Sequence, residues 1–158
     1  MKIAMYPGTF DPLTVGHLDV IKRSSALFDH VYVVIMENKN KKVTFTAEER
    51  FQMILKVIDE FDNVSALIGE GLTVDYAKKI GATVLIRGIR AVMDYEYELQ
   101  QATANMILSP EIETVFLLTR PEYSFMSSSA VKEIAINNGD LTSFVPEAIL
   151  KQVSDKFR

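Results

Sequence analysis

Short β-branched apolar runs alternate along the chain with longer segments of helical period. Ile3 to Tyr6 is an apolar run ending at Pro7-Gly8, which predicts a buried strand feeding a loop. A helix is expected from about Gly16 to Phe28, with Leu18, Ile21 and Phe28 on one face. Val31 to Met36 is continuously apolar, the pattern of a strand covered on both faces. A polar stretch, Glu37 to Thr44, follows. Thr46-Ala47-Glu48-Glu49 then matches a capping box, in which the Thr hydroxyl and the Glu three residues on each satisfy a free N–H. Phe51, Ile54, Leu55 and Ile58 recur at i, i+3, i+4 and i+7, the period of a helix. Val64 to Ile68 reads as a strand, Val74 to Ile80 as a short helix stopped by Gly81, and Thr83 to Ile86 as a strand. Met93 to Leu108 is a long helix closed by Ser109-Pro110, and Thr114 to Leu118 a fifth strand. A helix starts near Ser128 and stops at Asn138-Gly139. Pro146 opens a last one, carrying Ile149, Val153 and Phe157 on one stripe.

Five strands separated by helices imply an α/β fold, with a Rossmann-like, doubly wound parallel sheet and helices on both faces. No repeat, linker or composition break divides the chain, so residues 1–158 read as one domain. In such sheets the ligand crevice lies outside the carboxyl ends of the strands. The segments to search are Pro7 to His17, Glu37 to Phe45, Gly69 to Thr73, Arg87 to Met93 and Thr119 to Ser129. They hold nearly every unusual residue cluster in the sequence.

Composition narrows the chemistry. With 48% apolar and 24% charged residues, and only 7 Gly and 5 Pro, the 158 residues carry enough apolar matter for a core and are not a disordered chain. The net charge of −4 argues against a whole-surface polyanion binder, so no nucleic-acid partner is expected. The absence of Cys excludes disulfides, thiolate nucleophiles and cysteine zinc sites, and two His make a histidine metal site unlikely to form. Val31 to Met36, the longest apolar stretch, is far too short for a membrane span, and the first residues lack an apolar leader core. The expectation is a soluble cytoplasmic protein without a membrane partner.

Within Pro7 to His17, Gly8 lets backbone approach a ligand closely and Thr9 supplies a hydroxyl at the strand end. Gly16-His17 opens a helix, where free N–H groups and the dipole favour an anion. His17 there either donates to a phosphate oxygen or merely caps the helix. Thr9, Thr14 and Gly16 around it favour the first reading. Arg87-Gly88-Ile89-Arg90, expected as a loop after the fourth strand, offers planar cationic forks for phosphate, against the plainer reading of two solvated arginines. Ser124-Phe125-Met126-Ser127-Ser128-Ser129 sets hydroxyls and N–H groups at a helix start, where one serine serves as the N-cap. Lys39-Asn40-Lys41-Lys42 reads by composition as solvated surface. Asp94 and Glu98, at i and i+4, are more often solvated than functional. His30 reads as structural, and the stripe Tyr95, Leu99, Ala102, Met106 as core or subunit contact. No dinucleotide-type or Walker-type glycine loop occurs.

These residues resemble the signature of the bacterial phosphopantetheine adenylyltransferase family, in the nucleotidyltransferase superfamily whose Thr/His-x-Gly-His loop binds ATP phosphates. The matching motifs are Tyr6-Pro7-Gly8-Thr9-Phe10-Asp11-Pro12 with Thr14-Val15-Gly16-His17, Phe45-Thr46-x-Glu48-Glu49-Arg50, Arg87-Gly88-Ile89-Arg90-Ala91, Asp94-Tyr95-Glu96-Tyr97-Glu98, and the Ser124 to Ser129 run. Tyr123 and Met126 stand where many members carry Trp and Ile, and keep an aromatic or apolar wall. The resemblance implies transfer of the adenylyl group of ATP to 4′-phosphopantetheine, giving dephospho-coenzyme A and pyrophosphate in the penultimate step of coenzyme A synthesis. It implies that His17 stabilises charge at the α-phosphate. By the same motifs, Thr9, Phe10, His17, Gly88, Ile89, Arg90, Glu98 and Tyr123, Ser124, Phe125, Met126, Ser127, Ser128, Ser129 would line the ATP site. Thr9, Lys41, Thr73 and Arg87 would face phosphopantetheine. Mg²⁺ would accompany the triphosphate, without a metal site of the protein's own. A homohexamer, and coenzyme A as feedback inhibitor, are implied likewise.

The residue types agree with that chemistry. A phosphate is already a nucleophile near neutral pH, so direct in-line attack needs positioning and cation density rather than a covalent intermediate. His17, Lys41, Arg87 and Arg90 supply that density. The alternatives are a sister nucleotidyltransferase with another phosphate acceptor, such as glycerol phosphate or nicotinate mononucleotide, and a non-catalytic nucleotide-binding module of the same fold.

Overall fold

The computed structural model describes residues 1–157, apart from the side chains of Val92 and Met93. Its strands are β1 (Ile3–Gly8), β2 (His30–Met36), β3 (Val64–Gly69), β4 (Val84–Ile89) and β5 (Glu113–Leu118). Its helices are α1 (Val15–Leu27), α2 (Ala47–Ile58), α3 (Thr73–Lys79), α4 (Val92–Leu108), α5 (Ser128–Ile136) and α6 (Glu147–Lys156), with a single 3₁₀ turn at Pro121–Tyr123. All four strand pairings are parallel, in the order β3-β2-β1-β4-β5. The chain winds outwards from β1 to β3, then returns to lay β4 on the other side of β1. The order therefore reverses between β1 and β4, and a crevice opens there.

Strand parity decides which face each side chain joins. Ala4 and Tyr6, Val31 and Val33, and Val84 and Ile86 pack into a large core with α1, α2, α5 and α6. Met5, Val34 and Leu85 point the other way, into a smaller cluster with Val74 and Ala77 of α3. Each of Met53, Ile54, Val57 and Ile58 on α2 contributes roughly 1.5–3 kcal/mol by burial. Leu55, expected on that stripe, is exposed, and the inward face takes Arg50, Met53 and Val57 instead.

Local sequence sets the boundaries. Thr14 and Thr46 each form a reciprocal capping box, with His17 and Glu49 as the respective partners. Gly81, at φ +78°, turns the chain after α3 in a conformation that costs glycine little. One expectation is corrected here: Arg87, Gly88 and Ile89 are strand, not loop. The ladder to β5 runs on from Arg87↔Phe116 to Ile89↔Leu118, so backbone pairing carries β4 three residues further than its apolar run. His30 opens β2, its Nε2 3.0 Å from the Ser65 hydroxyl, away from the crevice.

Candidate active site

A crevice of two lobes straddles the sheet at the carboxyl ends of β1 and β4. The larger lobe, about 890 Å³, lies on the thinly covered face, with Met36, Thr73, Leu85, Gln101, Ala102, Asn105 and Thr114 among its walls. The smaller, about 310 Å³, lies on the other face, against Tyr6, Phe10, His17, Val20, Gly88 and Arg90. Pro7, Gly8, Thr9, Arg87 and Glu98 line both lobes. The strand ends of β1 and β4 thus form a sill, and a reaction between two ligands would take place across it.

The sill is shaped by Gly8 and Phe10. A Cβ on Gly8 would stand 3.0 Å from the Phe10 ring, so a side chain there would push the ring aside. Phe10 holds φ at 51°, a left-handed conformation that is costly for a bulky residue and persists only where packing imposes it. Its ring sits edge-on to Tyr6 and His17, at centroid distances of 5.2 and 5.0 Å.

His17 occupies the third position of α1. Its Nδ1 accepts the Thr14 N–H at 2.9 Å, so the neutral ring carries its proton on Nε2, free to donate into the small lobe. Burial, with the neighbouring Arg90 and Arg87 charges, pushes the imidazole down to about 3. It is therefore a neutral donor. At the same helix start the Val15 N–H is taken by the Phe144 carbonyl and the His17 N–H by Thr14 Oγ1. Among the described residues, the Gly16 N–H has no protein acceptor and remains for an anion.

The two arginines are held differently. Arg87 makes a bidentate pair with Glu98, Nε and Nη2 donating at 2.7 and 2.8 Å, while Nη1 donates to the Pro7 carbonyl at 2.6 Å. Glu98 is only 7% exposed. The arginine is thus locked into the sill, with the N–H groups not used in these bonds left for a ligand. Arg90 is exposed, and its Nε donates to Asp94 at 3.1 Å and Nη1 to the Met126 carbonyl at 3.2 Å, closing the rim of the small lobe. Glu98 and Asp94 each pair with an arginine, the first buried and the second partly exposed at the rim. Lys41 projects from the β2–α2 connection with Nζ 3.4 Å from Thr9 Oγ1, at the edge of the small lobe.

The serine run divides. Ser127 is the N-cap of α5, accepting from Ala130 N–H at 3.1 Å, and Ser128 donates to the Pro12 carbonyl at 2.8 Å. Both still line the small lobe with Met126 and Ser129. Ser124 donates to the Pro121 carbonyl, and Phe125 is 88% exposed. Neither of them, nor Tyr123, nor the buried Ile89, borders either lobe. Thr73 borders the larger lobe. Tyr97, Gln101 and Asn105 of α4 were not anticipated as lining residues. Their i, i+4, i+8 spacing, a polar strip that begins one residue before Glu98, was the signal. On the stripe read as core or subunit contact, Ala102 is buried, while Tyr95, Leu99 and Met106 are 43 to 50% exposed.

The arrangement suits electrostatic catalysis on phosphates. A neutral imidazole donor, a helix N–H, a threonine hydroxyl, an exposed lysine and two carboxylate-paired guanidinium groups all border the smaller lobe. Residues 5–134 match the family model described as cytidylyltransferase-like. A crystal structure from Vibrio parahaemolyticus, assigned as a nicotinate-nucleotide adenylyltransferase, aligns with a TM-score of 0.73 over 97% of this chain and 99% of that one. At 17% identity this likeness concerns the fold alone. The chain belongs to the cytidylyltransferase-like family of nucleotidyltransferases. Its relatives narrow the membership to the phosphopantetheine adenylyltransferases. The enzyme of that name from Alkaliphilus metalliredigens is 50% identical over 156 residues, covering 99% of both chains. The one from Lachnoclostridium phytofermentans is 50% identical over 157 residues, 99% of this chain and 96% of its own.

Proposed function

We propose that the chain transfers the adenylyl group of ATP to 4′-phosphopantetheine, releasing pyrophosphate and forming dephospho-coenzyme A. The observation that carries this reading is the pair of lobes on opposite faces of the sheet, meeting at Thr9 beside His17, Lys41 and Arg87. ATP occupies the smaller lobe, its phosphates against Thr9, His17, Arg90 and the start of α5. The acceptor arm occupies the larger lobe, between Thr73 and the α4 strip of Tyr97, Gln101 and Asn105, with its phosphate at Arg87 and Lys41. The acceptor oxygen attacks the α-phosphorus and the bond to the β-phosphate oxygen breaks. His17 Nε2–H donates to the oxygen on which charge develops, and no covalent intermediate is needed.

Mg²⁺ enters with the nucleotide. Among the described residues no cluster of three carboxylate or imidazole groups offers it a seat, and Asp94 and Glu98 are already paired with arginines. Bound with the nucleotide, the ion would supply positive charge that offsets the anion the acceptor phosphate must approach. The exposed apolar side chains of α4, Leu99, Met106 and Ile107, support self-association, and a homohexamer is the state proposed. Among the described residues no helix is long and apolar enough to cross a membrane, which suits a cytoplasmic site of action. Coenzyme A, sharing the frame of the product, would compete for the same lobes.

The test is pyrophosphate release from ATP with 4′-phosphopantetheine, nicotinate mononucleotide, glycerol phosphate or no acceptor. Release only with the first is expected. Release with another acceptor alone would move the chain to a sister activity, and no release under any of these conditions would leave a nucleotide-binding module.

A further inference from the structure

The motif Phe45-Thr46-x-Glu48-Glu49-Arg50 takes no part in either lobe, yet its arginine is 4% exposed and bonded through Nε and Nη1 to backbone carbonyls. Arg50 Nε donates to the Phe45 carbonyl at 3.0 Å, and Nη1 donates to the Thr9 carbonyl at 2.9 Å. A buried carboxylate answers it from the other side. Asp11, 3% exposed, accepts the Phe45 N–H on Oδ1 and the Thr44 N–H on Oδ2, each at 2.8 Å, while Lys132 of α5 donates to Oδ2 at 2.7 Å. Segments 9–11 and 44–46 are therefore cross-braced by two side chains, one from each direction. The first segment carries Thr9 and Phe10. The second ends the connection that carries Lys41.

Stability alone does not explain this construction. Phe45 is already anchored by its own ring, 1% exposed in the core. Two charges kept out of water gain little over well-packed apolar groups of the same volume. What the brace does provide is direction. Lys41 is exposed on a long flexible stem, and among the described residues its side chain is tethered only by a 3.4 Å contact to Thr9. Its reach to the acceptor phosphate depends on where its backbone stands relative to Thr9, and Asp11 and Arg50 fix that relation.

We propose that Asp11 and Arg50 are positioning residues of the transfer reaction, touching neither substrate and acting by holding the Lys41 connection in register with the Thr9 sill. The inference rests on the adenylyl-transfer reading above. Its test is a double-mutant cycle on kcat. Asp11→Asn in the otherwise unchanged chain should lower kcat by on the order of 10²-fold, the cost of a small misplacement of a catalytic group. In the Lys41→Ala background the same substitution should cost little more, because the group it positions is gone. ATP binding, measured by calorimetry, should change little in both. If the two losses multiply, or if Asp11→Asn leaves kcat unchanged, the inference is wrong. Should Asp11→Asn not fold, Arg50→Lys keeps the cation but loses the planar fork, and is read in the same cycle. Unsubstituted protein that releases no pyrophosphate with 4′-phosphopantetheine would overturn the parent reading. An active protein with an additive cycle would overturn this one alone.

Discussion

Replacing His17 removes two interactions at once, and the geometry separates them. In His17→Ala the small lobe loses the Nε2–H donor. Removing one preorganised donor to developing phosphate charge lowers kcat by on the order of 10²–10³, or roughly 2.7–4 kcal/mol of transition-state stabilisation. The Thr14 N–H, in a residue 1% exposed, loses its acceptor as well. An unsatisfied buried donor costs about 1–3 kcal/mol of stability. A chain of this size loses about 2–4 °C in Tm for each kcal/mol. His17→Gln offers an amide oxygen to the Thr14 N–H, as a glutamine at this helix position does in a capping box, but lacks the rigid ring that aims Nε2–H. Its Tm should stay close to that of the unsubstituted chain while its kcat stays low. Pyrophosphate release at saturating phosphopantetheine, with calorimetry for ATP and thermal melts, reads all three quantities. Near-normal kcat with a raised KM for ATP in both variants would refute the assigned role.

The same residue makes a prediction about pH. Burial and the Arg90 and Arg87 charges hold His17 at about 3, below its ordinary 6.5. The unfolded ring takes up a proton as pH falls through 6.5, whereas the folded ring does so only near 3. The stabilisation this ring contributes is therefore complete above 6.5 and is lost as pH falls between those values. The Tm of the unsubstituted chain should fall relative to that of His17→Gln between about pH 7 and about pH 5, and the ring's NMR shifts should stay flat there. A ring that titrates near 6.5 would refute the neutral donor.

Arg87→Ala should raise the KM for phosphopantetheine and leave Glu98 buried without its partner, a loss of roughly 3–5 kcal/mol that a thermal melt will register. Arg90→Ala should mainly weaken ATP binding and cost at most about 1 kcal/mol, since its pair with Asp94 is partly solvated; calorimetry on both variants decides, and a reversed substrate pattern would mean the arginines are assigned the wrong way round. Lys41→Ala should lose transfer activity severely, while Lys39→Ala should lose little in the same assay, and equal small effects would return Lys41 to the solvated surface.

Much of the fold was legible because strand parity and helix caps are local. The runs at Ile3, Val31, Val64 and Thr114 are apolar enough to announce strands, and Thr46 with Glu49 announces the start of α2. The end of β4 was not legible. Arg87 and Gly88 are poor strand formers by residue type, and only pairing with Phe116 and Leu117 on β5 makes them strand. Nor did the period of α2 give its true inward face, because a buried arginine holds a place that hydrophobic counting leaves to Leu55.

Charged residues of the site were legible as a set but not in their separate roles, and the reason is pairing. From sequence, Arg87 and Arg90 are equivalent cations and Asp94 and Glu98 equivalent acids. Strand parity makes them unequal. Arg87 points to the same face as Leu85, beneath α4, where Glu98 meets it out of solvent; Arg90 lies one residue beyond the strand and reaches Asp94 at the rim. The first pair forms a wall shared by both lobes, and the second a partly exposed rim of the smaller lobe. Attack across a sill needs both. A rigid cation must hold one reactant on line, and a yielding one must follow the charge as it passes to the leaving group. Asp11 escaped notice for the opposite reason: its partners are backbone N–H groups more than thirty residues away and a lysine on α5, and no spacing along the chain announces them.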